Sequence, residues 1–225
     1  MASSSSQVAI VTGGNSGMGM GLVRKLVEKG WKVAVADINE NKTFADELGG
    51  ASSFHKCNVA DYDRSEMFQQ VWDKYGRIDA LCANAGIVDK SSIFIFEYRN
   101  SDKIPPKPDL LTTDVDYKGV VYGTQLAIHF MRKNQTPGGK IIATASVAAV
   151  VPHEAYPEYA GAKAAVVNFV RATARILKRF LEDDTLYGRV VECSADKHFF
   201  LEPPTLANGR VSKRAVTVWD PLFKM

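Results

Sequence analysis

One short stretch near the start of the chain constrains the fold most. VAIVT (8–12) is apolar up to Thr12, TGGNSGMGMG carries on from that threonine with Gly13, Gly17 and Gly19, and LVRKLVEKG continues with helical spacing. A second apolar run, WKVAVAD (31–37), comes next and ends on an acid, Asp37. An apolar run with no polar alternation reads as a strand buried on both faces. A glycine turn between such a strand and a helix lets the backbone pass tightly and approach a pyrophosphate, whose charge the helix N-terminal amides favour. A glycine-rich turn alone is weak, and the acid roughly twenty positions further on supplies the context that a dinucleotide fingerprint requires. The bland reading of Asp37 is a strand-end residue capping its own turn.

The alternation continues along the chain. SSFHKC (52–57), IDALCANAG (78–86), KIIATAS (140–146) and RVVEC (189–193) read as further strands, with helical patterns beginning near Gly17, Asn41, Tyr62, Thr112 and Pro157. Strands and helices in strict alternation predict an α/β fold: a doubly wound, Rossmann-like parallel sheet with helices on both faces, in a single domain. Residues 1–6 read as a disordered leader, 7–192 as the dinucleotide-binding catalytic domain and 193–225 as an atypical short C-terminal tail, whose one strand-like run is AVTVW (215–219). The segment from Val88 to Asp109 carries prolines and charges that resist regular structure, and is expected as a surface excursion near the site.

The second chemical stretch is SVAAVVPHEAYPEYAGAK (146–163). If the segment after Pro157 is helical, Tyr159 and Lys163 stand at i and i+4 on one face. A phenol with pKa near 10 is a poor base, and a neighbouring ammonium favours the phenolate. Tyr159 thus becomes a candidate acid/base, and the Ser146 hydroxyl a donor to a carbonyl or alcohol oxygen. Taken alone, a tyrosine four residues before a lysine is a common accident on helices. Tyr156 is the internal control, with Ala160 at i+4 and Pro157 directly after it.

Composition excludes other classes. A net charge of +3, spread without a basic block, gives no case for nucleic acid. Cys57, Cys82 and Cys193 are odd in number and widely spaced, as expected of reduced thiols in a cytosolic protein. His55, His129, His153 and His198 share no ligand spacing, so no metal is implied. No apolar run is long enough to span a membrane.

Together these motifs resemble the short-chain dehydrogenase/reductase family, from Val8 to about Leu181. The likeness rests on TGGNSGMG, Asp37, CNVAD (57–61), ANAG (83–86), Ser146 and YAGAK (159–163). Within the family it is most similar to NAD-preferring alcohol dehydrogenases of the 15-hydroxyprostaglandin dehydrogenase and fungal secondary-metabolite types. The resemblance implies NAD as cofactor, contacted by Gly13, Asn15, Ser16, Gly17, Met18, Gly19, Asp37, Ile38, Asn58, Val59, Asn84, Ala85 and Gly86, with Tyr159 and Lys163 at the nicotinamide ribose. It implies hydride transfer to or from a small-molecule substrate, an apolar secondary alcohol or its ketone, and a homodimer or homotetramer in the cytoplasm.

The sequence departs from the family in two larger respects. Asp116, in DVDYKGVVYGTQ, stands where the family has a catalytic asparagine, and its charge beside Lys163 is expected to weaken the base. After the sixth strand the usual Pro-Gly turn and lid have no counterpart. Smaller changes are ANAG in place of two asparagines, and Asn58 where an aspartate is usual. Two further readings therefore stay open: a degenerate or truncated dinucleotide-binding relative without redox turnover, and a non-redox lyase or isomerase using Tyr159.

Overall fold

A computed structural model describes residues 6–62, 66–91, 93–177, 188–194, 197–205 and 207. The expected leader, all but its last residue, and the strand expected at 215–219 lie outside the described residues. Five parallel strands, β1 (Val8–Thr12), β2 (Lys32–Asp37), β3 (Ser52–Lys56), β4 (Ala80–Ala83) and β5 (Lys140–Ala143), form one sheet in the order β3-β2-β1-β4-β5. The register aligns Ile10 with Ala34 on one side and with Leu81 on the other.

Strand residues alternate between two buried faces, as period-two geometry requires. Val8, Ile10, Ala34 and Ala36 pack with Phe68, Val120, Phe130 and Val166. Val11, Val33 and Val35 pack with Val23 and Phe44 on the opposite side. The first face is covered by α3 (Glu66–Tyr75), α5 (Gly119–Met131) and α6 (Pro157–Leu177), the second by α1 (Gly17–Glu28) and α2 (Lys42–Leu48). The doubly wound expectation holds.

The helix expected to begin near Tyr62 is described over Glu66–Tyr75, residues 63–65 lying outside the described residues. Two local features differ from expectation. The helix anticipated from Thr112 begins as a single α-turn, α4 (Leu111–Thr113), and passes through a π-turn, Asp114–Lys118, before α5. The sixth strand, β6 (Val190–Ser194), does not join the parallel sheet. It pairs antiparallel with β7 (Lys197–Leu201), a hairpin that straddles the boundary expected after residue 192. A β-branched run such as RVVEC fixes strand character but not the partner, and KHFFL is within hairpin reach.

Residues 88–109 form the expected excursion, irregular apart from a short 3-10 turn, Phe96–Tyr98. Among the described residues no helix is long and apolar enough to cross a membrane.

Candidate functional site

The strand order reverses between β1 and β4, and in open parallel sheets ligands bind beyond the strand C-termini at that reversal. The sequence-predicted residues gather there. Gly13 follows β1, Ile38 follows β2, Asn84 follows β4, and Ser146 lies three residues beyond the end of β5.

The glycines of the turn do different jobs. Gly13 has φ +63°, and a Cβ there would lie 2.9 Å from Ala85 Cα. A Cβ on Gly19 would come within 2.0 Å of the Gly13 carbonyl oxygen, so this helix turn closes only on glycine. Gly17, at φ +48°, faces open space. The N-cap Ser16 makes no side-chain cap hydrogen bond and the first turn of α1 holds no acid, so the amides of that turn remain directed outward. A helix end with uncapped amides beside an open glycine fits a diphosphate.

Asp37 Oδ2 accepts the Asn15 amide at 3.1 Å and Oδ1 accepts the Asn39 amide at 3.3 Å, holding the carboxylate against the glycine turn. Asn15 Nδ2 also donates to the Asn39 carbonyl, so both loops move as one. Met18 and Ile38 are exposed at this rim. Asn58 is exposed and accepts the Ala60 amide, while Val59 packs against the bare α-carbon of Gly119.

Asn84 joins three strand ends. Its backbone N–H donates to Thr12 Oγ1, its Nδ2 to the Thr12 carbonyl, and its Oδ1 accepts Thr144 Oγ1. Ala85 adds a second amide to Thr12 Oγ1. Thr12 opens the glycine motif and Thr144 lies in the KIIATAS run, but neither is singled out by the sequence as a site residue, and both hold Asn84 at the floor of the site.

On α6 the Lys163 ammonium lies 5.6 Å from the centroid of the Tyr159 ring, donates to the Thr144 carbonyl at 2.9 Å and reaches Asp116 Oδ2 at 3.0 Å. That last contact is an ion pair without hydrogen-bond alignment. Asp116 Oδ1 accepts the Ile87 amide at 2.8 Å. Burial pushes the Asp116 carboxyl above the usual carboxylate range. Lys163 and the Ile87 amide pull the other way, and Glu158 adds to the rise. A Cβ on Gly86 would stand 2.9 Å from Asp116 Oδ2 and 3.1 Å from Lys163 Nζ, so glycine leaves the space this pair occupies.

Ser146 caps a 3-10 turn, Val147–Ala149, that packs on α6. Its Oγ accepts the Ala148 amide at 3.1 Å, which leaves the hydroxyl proton to donate. The four residues expected at the catalytic centre thus lie on α6 itself or on turns packed against it. Sequence reasoning missed Asp89, whose carboxylate takes the Glu158 and Tyr159 amides. Beside Ser146, on the turn that packs against α6 and just after it, Val147, Val150 and Val151 form an apolar, exposed rim.

His55 lies away from this centre, hydrogen-bonded to Ser53 Oγ and Gln70 Oε1 on the flank of the sheet. Among the described residues no group of three or more His, Cys, Asp or Glu comes together to hold a metal.

Comparison with known proteins agrees with this geometry. Residues 7–180 match the profile of the short chain dehydrogenase family. The chain is 41% identical to the short-chain dehydrogenase/reductase prx6 of Penicillium rubens, over 97% of this chain and 93% of that protein. The aligned length, 278 positions, exceeds the 225 residues here, so prx6 carries stretches with no counterpart in this chain. Human 15-hydroxyprostaglandin dehydrogenase [NAD(+)] is 33% identical over 75% of this chain, which spans only 60% of that enzyme's length. A Brucella melitensis 3-oxoacyl-[acyl-carrier protein] reductase superposes with a TM-score of 0.69 at 27% identity, over 79% of this chain and 72% of that one. A 3-ketoacyl-(acyl-carrier-protein) reductase from the same organism, complexed with NADH, gives 0.67 at 25% identity, over 77% and 71%.

Proposed function

The chain belongs to the short-chain dehydrogenase family, and on that premise we propose that it is an NAD(H)-dependent oxidoreductase interconverting a secondary alcohol and its ketone. The observation that carries this reading is the buried Lys163 ammonium beside the Tyr159 ring, one helical turn away and level with Gly86 at the cofactor floor.

The uncapped first turn of α1, with Gly13, Asn15, Ser16, Gly17, Met18 and Gly19, would hold the diphosphate. Asp37 and Ile38 would meet the adenosine ribose, Asn58 and Val59 the adenine, and Asn84, Ala85 and Gly86 the floor beneath the nicotinamide. Bound nicotinamide supplies one function, the gain or loss of hydride. Asp37 supports NAD over its 2′-phosphorylated form, since a carboxylate already pinned by two amides repels an added phosphate.

Tyr159 takes the hydroxyl proton of the alcohol in the oxidative direction and returns it to the ketone oxygen in the reductive one. Lys163 stabilises the phenolate through its charge. Ser146, with its hydroxyl proton uncommitted, donates to the substrate oxygen as charge builds there. Asp116 holds Lys163 in place at the expense of part of its field. The exposed apolar rim suits a substrate whose body is hydrocarbon.

Purified protein incubated with NAD and secondary alcohols of increasing apolar bulk is expected to accumulate reduced nicotinamide. Cofactor binding with no turnover across the panel would leave a second reading, a dinucleotide-binding relative with little activity. The commitment of Lys163 to Asp116 and to the Thr144 carbonyl favours that second reading. Substrate conversion with no change in the cofactor would instead mark a lyase or isomerase.

A further inference from the structure

Helix α6 begins on Pro157, whose ring nitrogen carries no hydrogen, so its first unpaired amide protons belong to Glu158 and Tyr159. Tyr156, just before it, has no short side-chain acceptor to cap them. The acceptor comes from 69 and 70 residues earlier. Asp89 Oδ1 takes the Tyr159 amide at 2.7 Å and Oδ2 takes the Glu158 amide at 3.1 Å. A negative charge at a helix N-terminus is favourable, and both oxygens are used.

Asp89 is itself held. Next to it the Val88 carbonyl accepts Thr112 Oγ1 at 3.0 Å. Two residues on, Ser91 Oγ accepts the Asp109 amide at 3.1 Å and donates to the Asp109 carbonyl at 3.3 Å. From the other side Glu158 Oε1 accepts both the amide and the hydroxyl of Thr113. The two amides at the start of the turn that carries Tyr159 are therefore satisfied by a residue on the segment after β4, while the Ala160 amide is satisfied locally by the Tyr156 carbonyl.

We propose that Asp89 is a positioning residue, which sets the first turn of α6 and with it the Tyr159 phenol relative to the substrate oxygen. The functional part of this proposal rests on the dehydrogenase reading. Tyr159 sits in that first turn, so releasing its amide lets the ring shift by fractions of an ångström, enough to slow a proton transfer severely. Asp89 hydrogen-bonds the α6 amides and not the glycine turn, so the diphosphate and adenosine end of the cofactor site, which carries most of the proposed NAD contacts, does not depend on it.

The test compares Asp89→Ala, Asp89→Asn and the parent protein. Asp89→Ala is expected to lower kcat about ten-fold or more, because misplaced reacting groups cost that much. Its NAD dissociation constant, read by protein fluorescence, stays within about two-fold of the parent, since no ground-state contact to cofactor is lost. Asp89→Asn recovers part of kcat, because its one carbonyl oxygen still accepts one amide. Hydrogen exchange at Glu158, Tyr159 and Ala160 is faster in Asp89→Ala. The proposal is overturned if kcat of Asp89→Ala matches the parent, if NAD affinity falls in step with kcat, or if the asparagine variant is no better than alanine. Should the alanine variant fail to fold, Asp89→Asn against the parent decides by the same two readouts. If the parent turns over no alcohol, only the dehydrogenase reading fails. Exchange then still decides whether Asp89 anchors the turn, and unchanged rates in Asp89→Ala sink it.

Discussion

Lys163 Nζ lies 3.0 Å from Asp116 Oδ2, with side-chain exposures of 3% and 0%. A buried pair of this kind is geometrically locked, and removing one partner leaves an uncompensated charge. Here the charge left behind would be useful. Asp116→Asn frees the Lys163 field to act on the Tyr159 phenol, which favours the phenolate. The acid limb of the kcat/KM profile against pH is expected to move to lower pH in the variant, with a gain in rate below the parent's optimum. Superimposable profiles would show that Asp116 does not oppose the lysine.

The same carboxyl makes stability depend on pH. Burial, the largest influence on it, raises Asp116 above its ordinary value, so the folded chain binds this proton more tightly than the unfolded chain does. Its contribution to stability is complete below the ordinary carboxylate value and is lost as pH rises through the raised folded value. Asparagine has no such proton. Urea unfolding from about pH 4 to about pH 8 should show Asp116→Asn gaining on the parent as pH rises, the direction that linkage requires.

Gly86→Ala tests the space around the pair. An added Cβ would lie 2.9 Å from Asp116 Oδ2 and 3.1 Å from Lys163 Nζ, and neither group is a free flexible end. A loss of about 1–3 kcal/mol is expected from such overpacking, together with a fall in turnover larger than the fall in NAD affinity. Chemical denaturation and initial rates check the two halves separately.

The glycine turn offers a paired comparison. Gly19→Ala places a Cβ 2.0 Å from the Gly13 carbonyl oxygen, so the backbone must open and NAD binding, measured by calorimetry, should be lost. Gly17→Ala meets no protein atom within 4 Å and costs the fold only its left-handed φ of +48°, about 1–2 kcal/mol, so it is expected to weaken NAD binding, through the methyl facing the diphosphate, without opening the turn. Equal losses from both substitutions would mean that the turn is not packed as described.

Thiol reactivity separates the three cysteines. Cys82 and Cys57 are buried and Cys193 is exposed on β6. Burial pushes the Cys82 thiol up to about 11, leaving little thiolate near neutrality. A disulfide reagent should modify one thiol per chain quickly, the fast phase should vanish in Cys193→Ser, and the other two should react only with denaturant present.

Much of this was readable before any coordinates. The cores of the first two strands, VAIV (8–11) and VAVA (33–36), are apolar at successive positions, which a sheet covered on both faces accommodates, and the two separate packing sets around Ile10 and Val11 are the result. The glycine spacing and Asp37 marked one half of the proposed site, and Ser146, Tyr159 and Lys163 the other. What escaped were relationships with no local signal. Asp89 caps a helix that starts 68 residues later in the sequence, where capping is ordinarily sought in the preceding residue. The π-turn that carries Asp116 has the composition of an ordinary helix, and such turns depend on tertiary packing. RVVEC announced a strand but not its neighbour, and a local hairpin with KHFFL took the place of the central sheet.

Placing β1 in the middle of the sheet governs the order in which the molecule is born. β1 precedes the other strands of its sheet, yet one of its two edges waits for β4, whose residues follow some seventy positions later. At ~5–20 residues per second, roughly 4–14 s pass before that edge is closed. Throughout that interval one edge of β1 lacks its native neighbour, and an unpaired strand edge is a template for pairing with other chains.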